Sequence, residues 1–301
     1  MANTAYHEPV LLNESITGLA INSNGTYADL TFGGGGHSLE ILKKLKKGKL
    51  YAFDQDKDAA ENMIDSDQFV LVEHNFKYLK NFLKYYKAIP VDGVLADLGV
   101  SSYQINNSDR GFAFRMDGEL DMRMDQSSAL TAKHVVNKYS EADLHRIFGL
   151  YGEVTNAKTL ANIIVHARAK NPIQTTEELI QIINGCVNKL KRNQYYAQVF
   201  QALRIEVNKE LTALQEMLEQ CVDVIKKGGR LVVISYHSLE DRMVKNFINK
   251  GNIEGKEDKD IYGNVMKPFN SISKKPIMAG EKEILRNPRA RSARLRIAER
   301  I

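Results

Sequence analysis

The sequence predicts an α/β protein, a doubly wound and mostly parallel sheet interrupted by a helical insertion. Three observations carry that prediction. Four short β-rich runs, at residues 26–29, 50–53, 69–72 and 94–98, alternate with stretches of helical spacing. Strands separated by helices build a parallel sheet through crossover connections. The first run leads into four consecutive glycines, Gly33 to Gly36, and then a helix, which is how such sheets open a crevice for a nucleotide-like ligand. Residues 126–199 then show helical spacing alone, and the α/β pattern resumes near Phe200.

The chain begins with Tyr6, His7, Glu8 and Pro9, followed by Ile16, Leu19 and Ala20 at helical spacing. This predicts a helix covering the sheet. The start has no basic residues followed by an apolar core, so no signal peptide is expected. A turn over 22–25 leads to the first strand, Thr26 to Asp29, and to the stretch Asp29–Ser38, DLTFGGGGHS. Glycines there allow positive φ and a close backbone approach to a ligand. A dinucleotide fingerprint needs a third glycine where Ser38 stands, and a P-loop needs a lysine that does not follow. No Lys or Arg lies between Asp29 and Leu42, so a pyrophosphate would meet no side-chain cation. A cofactor without phosphates, such as S-adenosylmethionine (SAM), suits the stretch better. A plain surface loop is the competing reading, and the strand and helix signals on both sides count against it.

A helix over 39–47 should stop at Gly48, and a strand over 50–53 should end at Asp54 and Asp56. Asp54 lies 19 positions after Gly35, the distance at which an acid meets a ribose diol. Asp56 suits the N-cap of the following helix. Residues 69–72 make the third strand, with His74, Asn75 and Phe76 at its end, where an adenine face could rest or an aromatic could fill the core. A helix over 77–87 follows. The fourth strand runs from Val94 to Asp97 and Gly99, and an acid at the end of a central strand marks a site.

Residues 100–125 show no clean period. They interleave Arg110, Phe112, Phe114 and Arg115. Such a mixture suits base stacking and phosphate pairing, or else an ordered connector whose phenylalanines fill a core. Long irregular loops in compact domains are usually functional. Residues 126–200 are amphipathic helices, with a capping box at Thr175 and Glu178 and a basic stretch, Lys189 to Arg192, near the end. From Phe200 to Leu218 the apolar spacing predicts one long helix, ended by Lys227, Gly228 and Gly229. A buried strand over 230–235 follows, then Tyr236, His237, Ser238 and Glu240 at its end. No nucleophile elbow surrounds Ser238. His237 is open to two roles, helix-start hydrogen bonding or a part in the site. Residues 251–284 carry few apolar anchors and are expected to be a mobile excursion. Residues 290–299 read as a closing strand.

The composition is 43% hydrophobic and 26% charged with net charge +5. That is ordinary for a globular protein, and no apolar run is long enough to span a membrane. Two cysteines, Cys186 and Cys221, make neither a disulfide framework nor a zinc site; both are expected as reduced core residues in a cytoplasmic protein. No metal is expected. Between Arg286 and Arg300 stand six arginines against the single acid Glu299. Guanidinium forks suit phosphate oxygens, and a solvated edge strand would carry the same composition.

Together, seven stretches resemble the bacterial ribosomal RNA small-subunit methyltransferase H family: Asp29–Ser38, Asp92–Ser102, Arg110–Phe112, Leu120–Asp125, Phe200–Ile205, His237–Arg242 and Asn287–Ser292. They come in the family's order over nearly the whole chain. The resemblance implies a class I SAM-dependent methyltransferase: a Rossmann-like fold over 1–109 and 200–301, with an inserted helical substrate-recognition subdomain over 110–199. It implies methylation of the exocyclic N4 of a cytidine in the decoding region (P site) of 16S rRNA. By matching motif, the cofactor contacts are Gly35, Gly36, His37, Asp54, Phe76, Asp97 and Gln104. Of these, only Asp54 and Asp97 also follow as site residues from the local pattern.

Many amino-methyltransferases place a Pro-Pro-aromatic motif at the fourth strand's end, and here that place reads Asp97-Leu98-Gly99. The acceptor for the amine proton is therefore open among Asp97, His237 and backbone carbonyls. Arg110, Phe112, Phe114, Arg289, Arg291 and Arg294 are the expected RNA contacts. The chain departs from the family at Tyr236, where Phe is usual, and at Ala113, where Ser is common, and neither residue is expected to touch a cofactor contact. The resemblance implies 16S rRNA in the small ribosomal subunit as the partner; no membrane is expected, and a monomer and a homodimer are both open. Two other classes fit parts of the chain. A dehydrogenase would need the third glycine, and a non-catalytic RNA-binding assembly factor would need no intact crevice.

Overall fold

A computed structural model describes residues 9–301. Tyr6, His7 and Glu8 lie outside the described residues. Contacts between Cα atoms divide the chain into two compact units, one formed by the chain up to Gly99 together with Leu211–Ile301, the other by Val100–Glu210.

The first unit holds a seven-stranded sheet. Its strands are β1 (Thr26–Asp29), β2 (Lys49–Phe53), β3 (Phe69–Val72), β4 (Val91–Asp97), β5 (Ile225–Ser235), β6 (Phe269–Ser271) and β7 (Arg294–Arg300), in the order β3-β2-β1-β4-β5-β7-β6. Neighbours from β3 to β5 are parallel. β7 runs antiparallel to both β5 and β6. The sheet buries both faces, as a parallel sheet must. Alternate residues separate cleanly: Ala28, Phe53, Val94, Ala96 and Val233 enter one core, whereas Tyr27, Ala52, Leu95, Val232 and Ile234 enter the other. The order reverses between β1 and β4, so a crevice opens above their carboxyl ends.

The second unit is helical, apart from its entry loop. Its core gathers Leu144, Phe148, Leu160, Ile164, Leu179, Val199 and Leu203. Helix Thr176–Ile183 starts with the expected capping box from Thr175 and Glu178.

Four expectations change. The single helix expected over 200–218 is two, Arg192–Asn208 and Glu210–Val224, because Lys209 takes a left-handed φ of 51°. Lys227 to Gly229 do not end a helix but belong to β5. The excursion over 251–284 is not structureless: it supplies β6, with Phe269 fully buried, and the helix Glu281–Arg286. β7 is no edge strand, since β6 pairs outside it. Cys221 is buried, and Cys186 is partly buried in a short 3-10 turn. Among the described residues, no helix is long and apolar enough to cross a membrane.

Candidate functional site

The site is built at the switch point from the glycine turn, the ends of β2 and β4, and the residue after β5. Past Asp29 the chain runs on between its neighbours: the Leu30 amide donates to the Leu95 carbonyl and the Phe32 amide to that of Phe53. Gly33 and Gly35 then take positive φ, 50° and 75°, and Gly35 is the N-cap of the helix Gly36–Lys44. Ser38, the residue that displaces the third glycine, donates its hydroxyl to buried Asp29 at 2.7 Å. Asp29 also accepts from the Thr31 amide. This carboxylate therefore ties both ends of the turn together.

Glycine is required here on two grounds. A Cβ at Gly35 would sit 3.0 Å from the Phe32 ring on a left-handed backbone, and one at Gly36 would sit 2.2 Å from Pro9 Cγ. The left-handed conformation alone costs an alanine about 1–2 kcal/mol. Gly35→Ala is therefore expected to lower the melting temperature by several degrees and to weaken SAM binding, read by thermal unfolding and titration. Unchanged values would show that the turn tolerates a side chain.

Asp54 ends up beside the turn. Its Oδ2 accepts from the Gly33 amide at 2.8 Å and its Oδ1 from the Asp56 amide at 2.9 Å. A carboxylate has about four lone-pair positions, so acceptor capacity remains for a diol. Burial pushes its pKa up to about 6, against the lowering effect of those two amides. Asp56 is the N-cap of the 3-10 helix Lys57–Asn62. At the end of β3, Asn75 donates to Gln55 at 2.7 Å, and partly buried Phe76 begins a 3-10 turn against the core.

Asp97 closes β4, with its amide donating to the Thr31 hydroxyl at 2.7 Å. His37 is buried, and its Nε2 lies 3.2 Å from the Val10 carbonyl. A carbonyl only accepts, so Nε2 carries the proton and Nδ1 is left with a lone pair. That Nδ1 faces Asp97 Oδ2 at 3.8 Å. Burial lowers the His37 pKa and keeps the ring neutral. Burial also raises Asp97 to about 6, opposed by His37 and by the Tyr236 hydroxyl. Two acceptors thus converge at a spacing too long for a direct bond and suited to a shared cationic donor.

Tyr236 overturns an expectation. Its hydroxyl donates to Asp97 Oδ1 at 2.7 Å, so a residue expected to stay clear of the cofactor contacts touches one of them directly. The signal was in the sheet register: Asp97 pairs with Ile234, which places Tyr236 just past the same rim. His37, Thr31 and Ser38 were invisible to strand and helix periodicity.

The other expected residues divide between structural and exposed positions, and His237 takes the helix-start role of the two open to it. His237 is the N-cap of the helix Ser238–Lys250, and its Nε2 lies 3.1 Å from Glu240 Oε1. Buried Glu240 also accepts from the Tyr236 amide. In the first unit Arg291 is exposed and Arg289 partly buried. Arg294 pairs with Asp241 at 3.2 Å while keeping 42% of its side chain exposed. Arg296 and Arg300 are structural, the first bonded to Asp241 and the second to the Val222 and Pro268 carbonyls. In the second unit Gln104 is buried, and its side chain completes a capping box with Ser101.

Arg110, expected on RNA, instead turns inward. It is 6% exposed and donates to the Arg123 and Met124 carbonyls. Phe112 and Phe114 are partly buried against the helical core, and Phe114 meets Tyr196 and Phe200 edge-on. Arg110 therefore braces its own loop, and Phe112 and Phe114 anchor that loop to the helical core.

A sheet of this order, with its sixth position antiparallel and its crevice at the β1/β4 switch point, defines a class I SAM-dependent methyltransferase, and its cofactor is S-adenosylmethionine. The residues present fit that group: acceptors at the end of β2 for a ribose diol, an acceptor pair for an ammonium, and no cation along the glycine turn. The chain belongs to the MraW methylase family, whose sequence profile matches residues 4–301. It is 57% identical over 297 residues to the ribosomal RNA small subunit methyltransferase H of Cytophaga hutchinsonii, covering 98% of this chain and 99% of the relative. It is 53% identical over 300 residues to the same-named protein of Phocaeicola vulgatus, covering 99% of each.

Proposed function

We propose that this protein methylates the exocyclic N4 of a cytidine in the decoding region (P site) of 16S rRNA, with the small ribosomal subunit as partner. The observation that carries the reading is the acceptor-only wall formed by Asp54, His37 and Asp97, in a chain whose relatives are named for small-subunit ribosomal RNA methylation. N4 of cytidine and the P site rest on the resemblance of the sequence motifs.

When bound, SAM supplies an activated methyl group, so the protein's task is orientation. Asp54 accepts from the ribose diol, and Phe76 offers a face at the next strand's end. Gly35 and Gly36 admit the close approach. Asp97 Oδ2 and His37 Nδ1 together hold the amino-acid ammonium, and Gln104 is carried over from the resemblance alone. With Asp97 committed to the ammonium and His237 to its helix cap, backbone carbonyls beyond Asp97 accept the amine's hydrogen bond, and its proton passes to water. The target base leaves its stack to reach the crevice. The helical unit is the substrate-recognition part.

Calorimetric titration with SAM and with NAD tests the cofactor reading. Heat on SAM alone is expected. Binding of NAD, or of neither, would contradict it and return the dehydrogenase or the assembly factor. For RNA, exposed Arg291 is the clearest phosphate contact among the C-terminal arginines. Arg291→Glu is expected to weaken small-subunit binding several-fold and to reduce its salt slope by about one, with SAM affinity unchanged. Equal losses for both ligands would place Arg291 in the fold instead.

A further inference from the structure

We propose that Tyr236 is a positioning residue: its hydroxyl occupies Asp97 Oδ1 and so fixes the carboxylate with Oδ2 turned toward His37 Nδ1, ready for the cofactor ammonium. This rests on the cofactor reading above.

The geometry is specific. The Tyr236 hydroxyl is 2.7 Å from Oδ1, whereas Oδ2 is 3.8 Å from His37 Nδ1. One carboxylate oxygen is taken by a neutral donor, and the other is left for a charged one. Tyr236 is itself held on both sides. Its amide donates to Glu240 Oε2 at 3.0 Å, and its ring lies 3.4 Å from where a Cβ on Gly99 would stand. Gly99 has a φ of 102°, a conformation that disfavours any side chain there. The backbone of Tyr236 is therefore tied to the start of the helix after β5 while its ring lies beside the end of β4, which brings its hydroxyl to Asp97.

The hydroxyl remains a donor, because burial and the neighbouring Asp97 charge raise the Tyr236 pKa well above its ordinary value. The charged groups around the pair come from every neighbouring element. Asp97 faces His37 from the glycine-turn helix, Asp29 from β1 and Glu240 from the helix after β5. Tyr236 additionally faces Glu283 from the helix Glu281–Arg286, and Arg289 lies beyond that helix. Asp29 and Glu240 favour a protonated Asp97, and the Tyr236 hydroxyl opposes them by stabilising the ionised form. A phenylalanine at this place would keep the ring and lose that bond.

The test is Tyr236→Phe, alone and combined with Asp97→Asn. The Asp97 carboxyl is followed by carbon-13 NMR through a pH titration of ligand-free protein, and SAM affinity is measured at pH 7. Without the hydroxyl, the Asp97 midpoint should rise by about one pH unit, a tenfold change in its protonation constant. SAM affinity should fall several-fold, and Tyr236→Phe should add nothing once Asp97 is Asn. An unmoved midpoint, or an equal loss in the Asp97→Asn background, overturns the proposal while wild-type SAM binding leaves the cofactor reading intact. Absence of SAM binding by the wild type overturns both, even if the midpoint moves.

Discussion

Asp97→Asn should weaken SAM binding roughly ten- to a hundredfold while leaving the protein folded. The substitution keeps the shape of the side chain and an oxygen for the Tyr236 hydroxyl, and it removes the charge. A hydrogen bond to a charged group is worth about 1.5–3 kcal/mol, and each 1.4 kcal/mol is a factor of ten in affinity. The carboxyl sits where burial opposes its ionisation, so neutralising it relieves a cost in the ligand-free protein. The melting temperature should therefore hold or rise as the affinity falls. Calorimetry and thermal unfolding on the same samples check both halves. Full affinity in the variant would remove Asp97 from the cofactor site, and a large drop in melting temperature would give it a structural role instead.

Lowering the pH from 7 to 5 should cost about a hundredfold in SAM affinity. Burial raises both Asp54 and Asp97 to about 6, and both are proposed to bind as carboxylates. Each group then contributes about a factor of ten across that range. Stability runs the other way. A carboxyl whose pKa is raised on folding holds its proton where the unfolded chain has released it. Its stabilising contribution is full below about pH 4 and is lost as the pH rises through about 6. The rise in melting temperature produced by SAM should therefore be small at pH 5 and large at pH 7. A shift that does not vary with pH would show that the bound cofactor uses neither carboxylate.

Much of the sheet was legible because its signals are local. β1, β2 and β3 are short apolar runs bounded by turn residues, and the ends of β2 and β4 carry Asp54 and Asp97 within a few residues of those runs. The glycine turn was legible for the same reason. What the sequence concealed depends on long-range contact. Tyr236 and Asp97 are 139 positions apart, and only the β4–β5 register brings them together. Arg110 looked like an RNA contact because a guanidinium beside aromatics has the same composition whether it faces solvent or, as here, caps the carbonyls of its own loop. The helix break at Lys209 was hidden because the apolar period continues through it from Val207 to Leu211, and a lysine gives no warning of positive φ. β6 was missed because only Phe269 of its three residues is buried, too short a run to show alternation.

Transfer of a radiolabelled methyl group from SAM to small ribosomal subunits, followed by nucleoside mass spectrometry of the digested 16S rRNA, tests the proposed action on a cytidine most directly. The expected result is label in N4-methylated cytidine, lost in the Asp97→Asn protein at limiting SAM. Label in a different nucleoside, or none with a protein that binds SAM, would contradict it.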